Sequence, residues 1–87
     1  MMVVLFTPSF LRQLKSLEIT LQEEVIEKVE LFKDIKNHRE LKVHKLKGRL
    51  KGRWSFSVNY HFRIVFSYIS KREAIMLAVG DHSVYDQ

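Results

Sequence analysis

The chain has 87 residues, 46% of them hydrophobic and 29% charged, with no cysteine, one proline and three glycines. That length predicts a single domain, 1–87, and the composition excludes a disordered chain, a disulfide scaffold and a cysteine-based zinc site. The formal net charge of +5 is concentrated: residues 36–53 hold eight of the fifteen Lys and Arg against one acid, Glu40, while the preceding segment is net acidic and the following one neutral.

Val3, Val4, Leu5 and Phe6 form a short β-branched and apolar run that predicts a first strand. It is too short and too uncharged for a signal peptide, and no run approaches the ~20 apolar residues of a membrane span, which predicts a cytoplasmic protein. Thr7 and Pro8 mark a helix start, Thr7 as N-cap and Pro8 at the first helical position, with Phe6 and Leu11 at the ends of a hydrophobic staple. Phe10, Leu11, Leu14 and Leu17 give this helix its apolar stripe. A capping box at Thr20 and Glu23 predicts the start of a second helix, with Leu21, Val25, Val29 and Phe32 on one face and Glu24 placed to pair with Lys28.

The basic segment follows: Lys36, Arg39, Lys42, Lys45, Lys47, Arg49, Lys51 and Arg53, with His38 and His44 among them. A stripe of this density is the footprint of a surface that meets phosphate; the alternative is a solvated loop. Beyond it the period changes from 3.6 to 2. Trp54, Phe56 and Val58 alternate with Ser55, Ser57 and Asn59, and Phe62, Ile64, Phe66 and Tyr68 alternate with Arg63, Val65, Ser67 and Ile69. The run 74–79 is continuously apolar, as in a strand buried on both faces. The fold class is therefore α+β. Two N-terminal helices pack on one face of a small twisted, mostly antiparallel sheet, in the order β-α-α-β-β-β.

Hairpin registers follow from the turn centres. A last turn between Lys71 and Arg72 sets Arg63 opposite about Gly80 and brings His82 beside the start of the 62–69 strand. An earlier turn near Tyr60 sets Arg63 near Ser57. Arg63 then lies on the face the helices leave uncovered, with Ser55, Ser57 and Ser67, a small polar face that predicts a groove more than a core. Arg63 and His82 beside a basic stripe make a candidate site. Each has a plainer reading, a surface arginine and a turn-capping histidine. Tyr85 is within reach of the same place, or packs its ring on the sheet as a C-terminal anchor. His38, His44, His61 and His82 lack the spacing and carboxylate partners of a metal motif, and there is no glycine-rich phosphate loop or nucleophile elbow.

Three segments, HKLKGRLKGRW at 44–54, FRIVF at 62–66 and VGDHSVY at 79–85, carry a resemblance. With the small size and the element order, the chain resembles the RelE/ParE superfamily of toxins from toxin–antitoxin modules over nearly its whole length. The ending with His82 is most similar to the RelE and YafQ branches, which are ribosome-dependent mRNA endonucleases. By this resemblance His44 falls where YafQ-like toxins carry a functional histidine, and Arg63 matches the phosphate-contacting arginine of the RelE strand. His82 matches the C-terminal histidine of the YafQ and YoeB branches, and Tyr85 the late tyrosine of RelE. The chain departs from the pattern in three ways. The acidic general base of YoeB has no clear counterpart, Glu40 standing in an otherwise basic loop. Ser57 and His61 stand where YafQ-like toxins have further polar residues. The tail stops at Gln87, without the extra C-terminal helix of some members.

The resemblance implies a type II toxin, an endoribonuclease that cuts ribosome-bound mRNA and blocks translation with no metal and no small-molecule cofactor. Arg63 would hold the phosphate, His82 and His44 would exchange protons, and Tyr85 would stack on a base or orient the backbone. Lys45, Lys47, Arg49, Lys51 and Arg53 would contact RNA phosphates. The implied partners are a cognate antitoxin, the ribosome and mRNA, with no membrane. Two other classes stay open: a ParE-like DNA gyrase inhibitor, and a non-catalytic RNA- or antitoxin-binding relic.

Overall fold

The computed structural model describes residues 1–86; Gln87, the end of the predicted tail, lies outside the described residues. The elements are β1 (Val3–Phe6), α1 (Pro8–Lys15), α2 (Ile19–Phe32), β2 (His44–Lys45), β3 (Trp54–Ser57), β4 (Arg63–Ser70) and β5 (Glu73–Gly80), with 3-10 turns at Ile35–Asn37, Gly48–Leu50 and His82–Asp86. The five strands make one sheet in the order β1-β5-β4-β3-β2. Only β1 pairs in parallel, with β5; the other pairings are antiparallel. The α+β class and the helices-on-one-face arrangement are as the sequence predicts. The addition is β2, a two-residue edge strand inside the basic segment, too short to show a period of its own.

Thr7 caps α1 as predicted, its Oγ1 accepting from the Phe10 N–H at 3.0 Å. The same hydroxyl donates to the carbonyls of Met76 and Leu77 at 3.2 and 3.3 Å, so the cap also fastens the helix start to β5. The predicted staple closes on Phe10 instead of Leu11. The Phe6 and Phe10 rings lie 5.4 Å apart, and Leu11 stays exposed while Phe10 is fully buried.

The predicted capping box does not form. α2 opens at Ile19 with Glu18 as N-cap, and the Thr20 hydroxyl donates to Glu18 Oε1. The tight link between the helices leaves the carbonyls of Leu17 and Lys15 open, and Gln22 Nε2 donates to them at 2.7 and 3.3 Å. Nor does Glu24 pair with Lys28. Glu24 accepts from Asn59 Nδ2 at 2.8 Å, and Lys28 takes its neighbour Glu27. A fixed amide on a packed turn outcompetes an exposed helical ion pair, which contributes only a few tenths of a kcal/mol.

The core lies between α2 and the sheet. Val25, Val29 and Phe32 are buried against Phe56, Ile64, Phe66 and Met76. Phe32 is its centre, stacked on Phe56 at 4.9 Å and edge-on to Phe66 at 4.8 Å. His38 stacks on the other side of Phe32 at 4.5 Å and donates from Nε2 to the Phe32 carbonyl at 2.7 Å, so this histidine is structural.

Phe32→Ala removes a ring that touches three others. It should destabilise the fold by about 3–5 kcal/mol, read as a lowered midpoint in urea unfolding. An unchanged midpoint would place the core elsewhere.

Candidate nucleic-acid interface and active site

The register of β4 builds the site. Arg63 lies opposite Ser57 on one side and Gly80 on the other, both as the turn centres predict. Two residues along, Val65 lies between Ser55 and Ala78, and Ser55 faces His44 across the β2 edge. Side chains alternate along a strand, so His44, Ser55, Ser57, Arg63 and Val65 share the face away from the helices. Strand spacing and rise put the Cα atoms of His44 and Arg63 about 12 Å apart.

This face is not the open polar groove that its serines predict. Val65, Ala78 and Val84 are buried there, with Leu46, Leu77 and Tyr85 packed around them. A bulge in β5 between Val65↔Ala78 and Phe66↔Met76 leaves Leu77 without a partner in the ladder. The His82–Asp86 turn covers the cluster. Tyr85 Oη and Ser55 Oγ are hydrogen-bonded at 3.1 Å, and Ser55 is fully buried. The turn lies so close that a Cβ on Gly80 would come within 2.8 Å of Val84 Cγ1. Burial of Val84 and the Tyr85 ring outweighs solvation of a serine hydroxyl once that hydroxyl has a partner. What stays open is the rim, where Arg63, Gly80 and the exposed His82 meet.

Each polar group at the rim has a defined setting. Arg63 Nη1 donates to the carbonyls of Asn59 and Phe62 at 2.7 and 3.2 Å. Its Nε and Nη2 make no hydrogen bond among the described residues and are available to a phosphate. Asn59 organises that turn, its Oδ1 accepting from the N–H groups of His61 and Phe62 at 2.9 Å each. The His82 and Tyr85 rings are edge-on, 5.9 Å apart. The Ser83 backbone N–H donates to Asp81 Oδ1 at 2.9 Å and, with the Ser83 hydroxyl adding to it, holds that carboxyl below the usual carboxylate range. A carboxylate therefore sits beside His82 throughout neutral pH. His44 donates from Nδ1 to the Lys42 carbonyl at 2.8 Å. A carbonyl can only accept, so the neutral ring keeps its proton on Nδ1 and presents Nε2 as a base.

The basic residues occupy β2 and the loop to β3. Lys45, Lys47, Arg49, Lys51 and Arg53 are all exposed. Gly48 and Gly52, at φ +68° and +90°, supply two left-handed turns in this loop, and buried Leu50 anchors it. Among the described residues no ion pair engages Lys45, Lys47, Lys51 or Arg53, and no group of three His, Asp or Glu could hold a metal. No helix among them is long and apolar enough to cross a membrane. Sequence reasoning missed Asn59 and the burial of Ser55. The alternation of β3 gave the face of Ser55, but nothing local shows that Tyr85 folds back onto it.

The fold has known counterparts. The chain is similar to a chain in the toxin–antitoxin complex RelBE2 from Mycobacterium tuberculosis, at 21% identity and a TM-score of 0.75 over 93% of this chain and 98% of that one. It is similar to a chain in the YoeB–YefM complex from Staphylococcus aureus, at 17% identity and a TM-score of 0.72 over 94% and 98%. YafQ from E. coli matches end to end, at 10% identity and a TM-score of 0.70 over 100% of both chains. No family model matches the sequence, and neither does any curated protein. The chain has the fold of the RelE/YafQ-like toxins.

The Ser55–Tyr85 bond gives a direct check on the covered face. Tyr85→Phe should cost about 1–3 kcal/mol by leaving the buried Ser55 hydroxyl unpaired. Adding Ser55→Ala should cost less than the sum of the single changes in a double-mutant cycle. Strict additivity would separate the turn from the sheet.

Proposed function

We propose that the chain is a single-domain toxin of a type II toxin–antitoxin module, acting in the cytoplasm as an endoribonuclease on ribosome-bound mRNA. The observation that carries this is the convergence at one rim. The register sets Arg63 beside Gly80, where the His82 turn begins, and a two-residue edge strand sets His44 on the same face. The matching folds, found in the toxin–antitoxin complexes RelBE2 and YoeB–YefM, support the toxin reading and an antitoxin partner.

The reaction that fits is attack of a ribose 2′-oxygen on the adjacent phosphorus. The new P–O2′ bond forms as the P–O5′ bond breaks, leaving a 2′,3′-cyclic phosphate and a 5′-hydroxyl. One group takes the 2′-hydroxyl proton and another protonates the departing 5′-oxygen. Arg63 holds the phosphate through its guanidinium fork and stabilises the charge that develops on it. His44, with Nε2 free of its proton, serves as base, and His82 as acid. Tyr85 orients the turn that carries His82. Lys45, Lys47, Arg49, Lys51 and Arg53 hold RNA phosphates along the edge. A gyrase inhibitor needs no acid–base pair, so Arg63 and His82 at the rim, with His44 farther along the same face, favour the nuclease.

The test is cleavage on translating ribosomes. His82→Ala should leave ribosome binding nearly intact and slow single-turnover cleavage by about 10²–10⁴-fold. Arg63→Lys keeps the charge but loses the fork and should also lose much of the activity. A parent chain that cuts nothing there overturns the proposal, and inhibition of gyrase supercoiling by it would establish the rival.

Affinity has its own readout. Changing Lys45, Lys47 and Lys51 together to Ala should flatten the log–log salt dependence of RNA or ribosome binding by roughly two to three units. An unchanged slope would show the stripe to be merely solvated.

A further inference from the structure

The face on the helix side of the sheet has an uncovered corner. Trp54 and Tyr68 lie there with their rings edge-on at 5.1 Å. They share their face with Phe66, which Phe32 covers and which is fully buried. Yet Tyr68 is 36% exposed and Trp54 half-buried, because the helix cover ends at Phe32 and His38 and β2 is only two residues long. The side chain over Trp54 is Lys45, its cross-strand partner, with Nζ 5.7 Å from the ring centroid. An exposed cation–π contact of this kind is weak and readily exchanged. Lys45 has no acidic partner among the described residues, and Lys47, Lys51 and Arg53 follow on the adjoining loop. Burial pushes the Tyr68 phenol up, so its ring stays uncharged at neutral pH.

We propose that Trp54 and Tyr68, with Lys45 as an exchangeable cover, form a base-stacking subsite for single-stranded RNA around the β2 edge from Arg63 and His82. Lys45 leaves the indole for a phosphate, and a nucleobase takes its place on the ring. Aromatic faces flanked by cations fit a ligand that joins a flat ring to a phosphate; an acidic peptide would use only the cations. His44 and Lys45 are consecutive and point to opposite faces, so a strand rounding the edge meets first one and then the other. The proposal rests on reading the chain as RNA-binding and adds a second place where the message is held.

Trp54 is the sole tryptophan, so intrinsic fluorescence reports on this corner alone. The full chain is titrated with a single-stranded 2′-O-methyl RNA pentamer, which lacks the 2′-hydroxyl that cleavage requires. Binding should quench Trp54 emission, whereas polyglutamate should bind without comparable quenching. Tyr68→Ala should weaken RNA binding by about 5- to 140-fold, the range for loss of one stacked base. Lys45→Gln should keep the quenching while lowering the salt slope by about one. No RNA binding, binding with unmoved emission, or equal quenching by polyglutamate each overturns the subsite. Because nothing is cut in this titration, its outcome is separate from that on ribosomes. A chain that cleaves without quenching keeps the nuclease and loses the subsite, and the reverse result does the opposite.

Discussion

The pairing of β4 on both of its edges is the constraint on which the rest depends. Ile64 and Phe66 point into the core under α2, while Arg63 and Val65 point to the other face. A slip of one residue would exchange the two sets, burying a guanidinium under Phe32 and exposing two large apolar side chains. Core packing therefore fixes the register, and the register alone sets Arg63 between Ser57 and Gly80. The candidate rim is specified by core residues that lie away from it.

The two faces are built by different means. The helix side is closed by aromatic stacking around Phe32. The other side is closed by a C-terminal turn, held by the Tyr85–Ser55 bond and by the fit of Val84 against Gly80. That turn also carries His82, so packing of the tail and placement of a candidate catalytic group are one event. The bulge at Leu77 belongs to the same arrangement, giving the small cluster an extra apolar residue while the ladder resumes in register at Met76.

Charge is distributed by the same logic. The cations stand on the edge strand and on a loop turned by Gly48 and Gly52, and among the described residues no ion pair engages Lys45, Lys47, Lys51 or Arg53. Unpaired like charges at a sheet edge also discourage pairing with another strand. A phosphate backbone following this edge meets His44 on one face and Lys45 on the other, which makes β2 the hinge between the proposed reaction rim and the aromatic corner.

The sequence by itself determined the parts whose signals are local or periodic. The Thr7 cap, the α2 stripe of Val25, Val29 and Phe32, the period-2 strands and the two-residue turn at Lys71 and Arg72 were all legible. From that turn and the one near Tyr60 the register of Arg63 followed; the β4–β5 ladder shifts between Tyr68 and Ser70 and shifts back between Val65 and Phe66, so the pairing with Gly80 survives both irregularities. Tertiary structure decided whatever depends on a distant partner. Glu24 went to Asn59 and not to Lys28, His44 joined the sheet through a strand too short to show a period, and Tyr85 folded back to bury Ser55. In each case a contact made across the fold outweighs what the local sequence can offer, which for an exposed helical ion pair is only a few tenths of a kcal/mol.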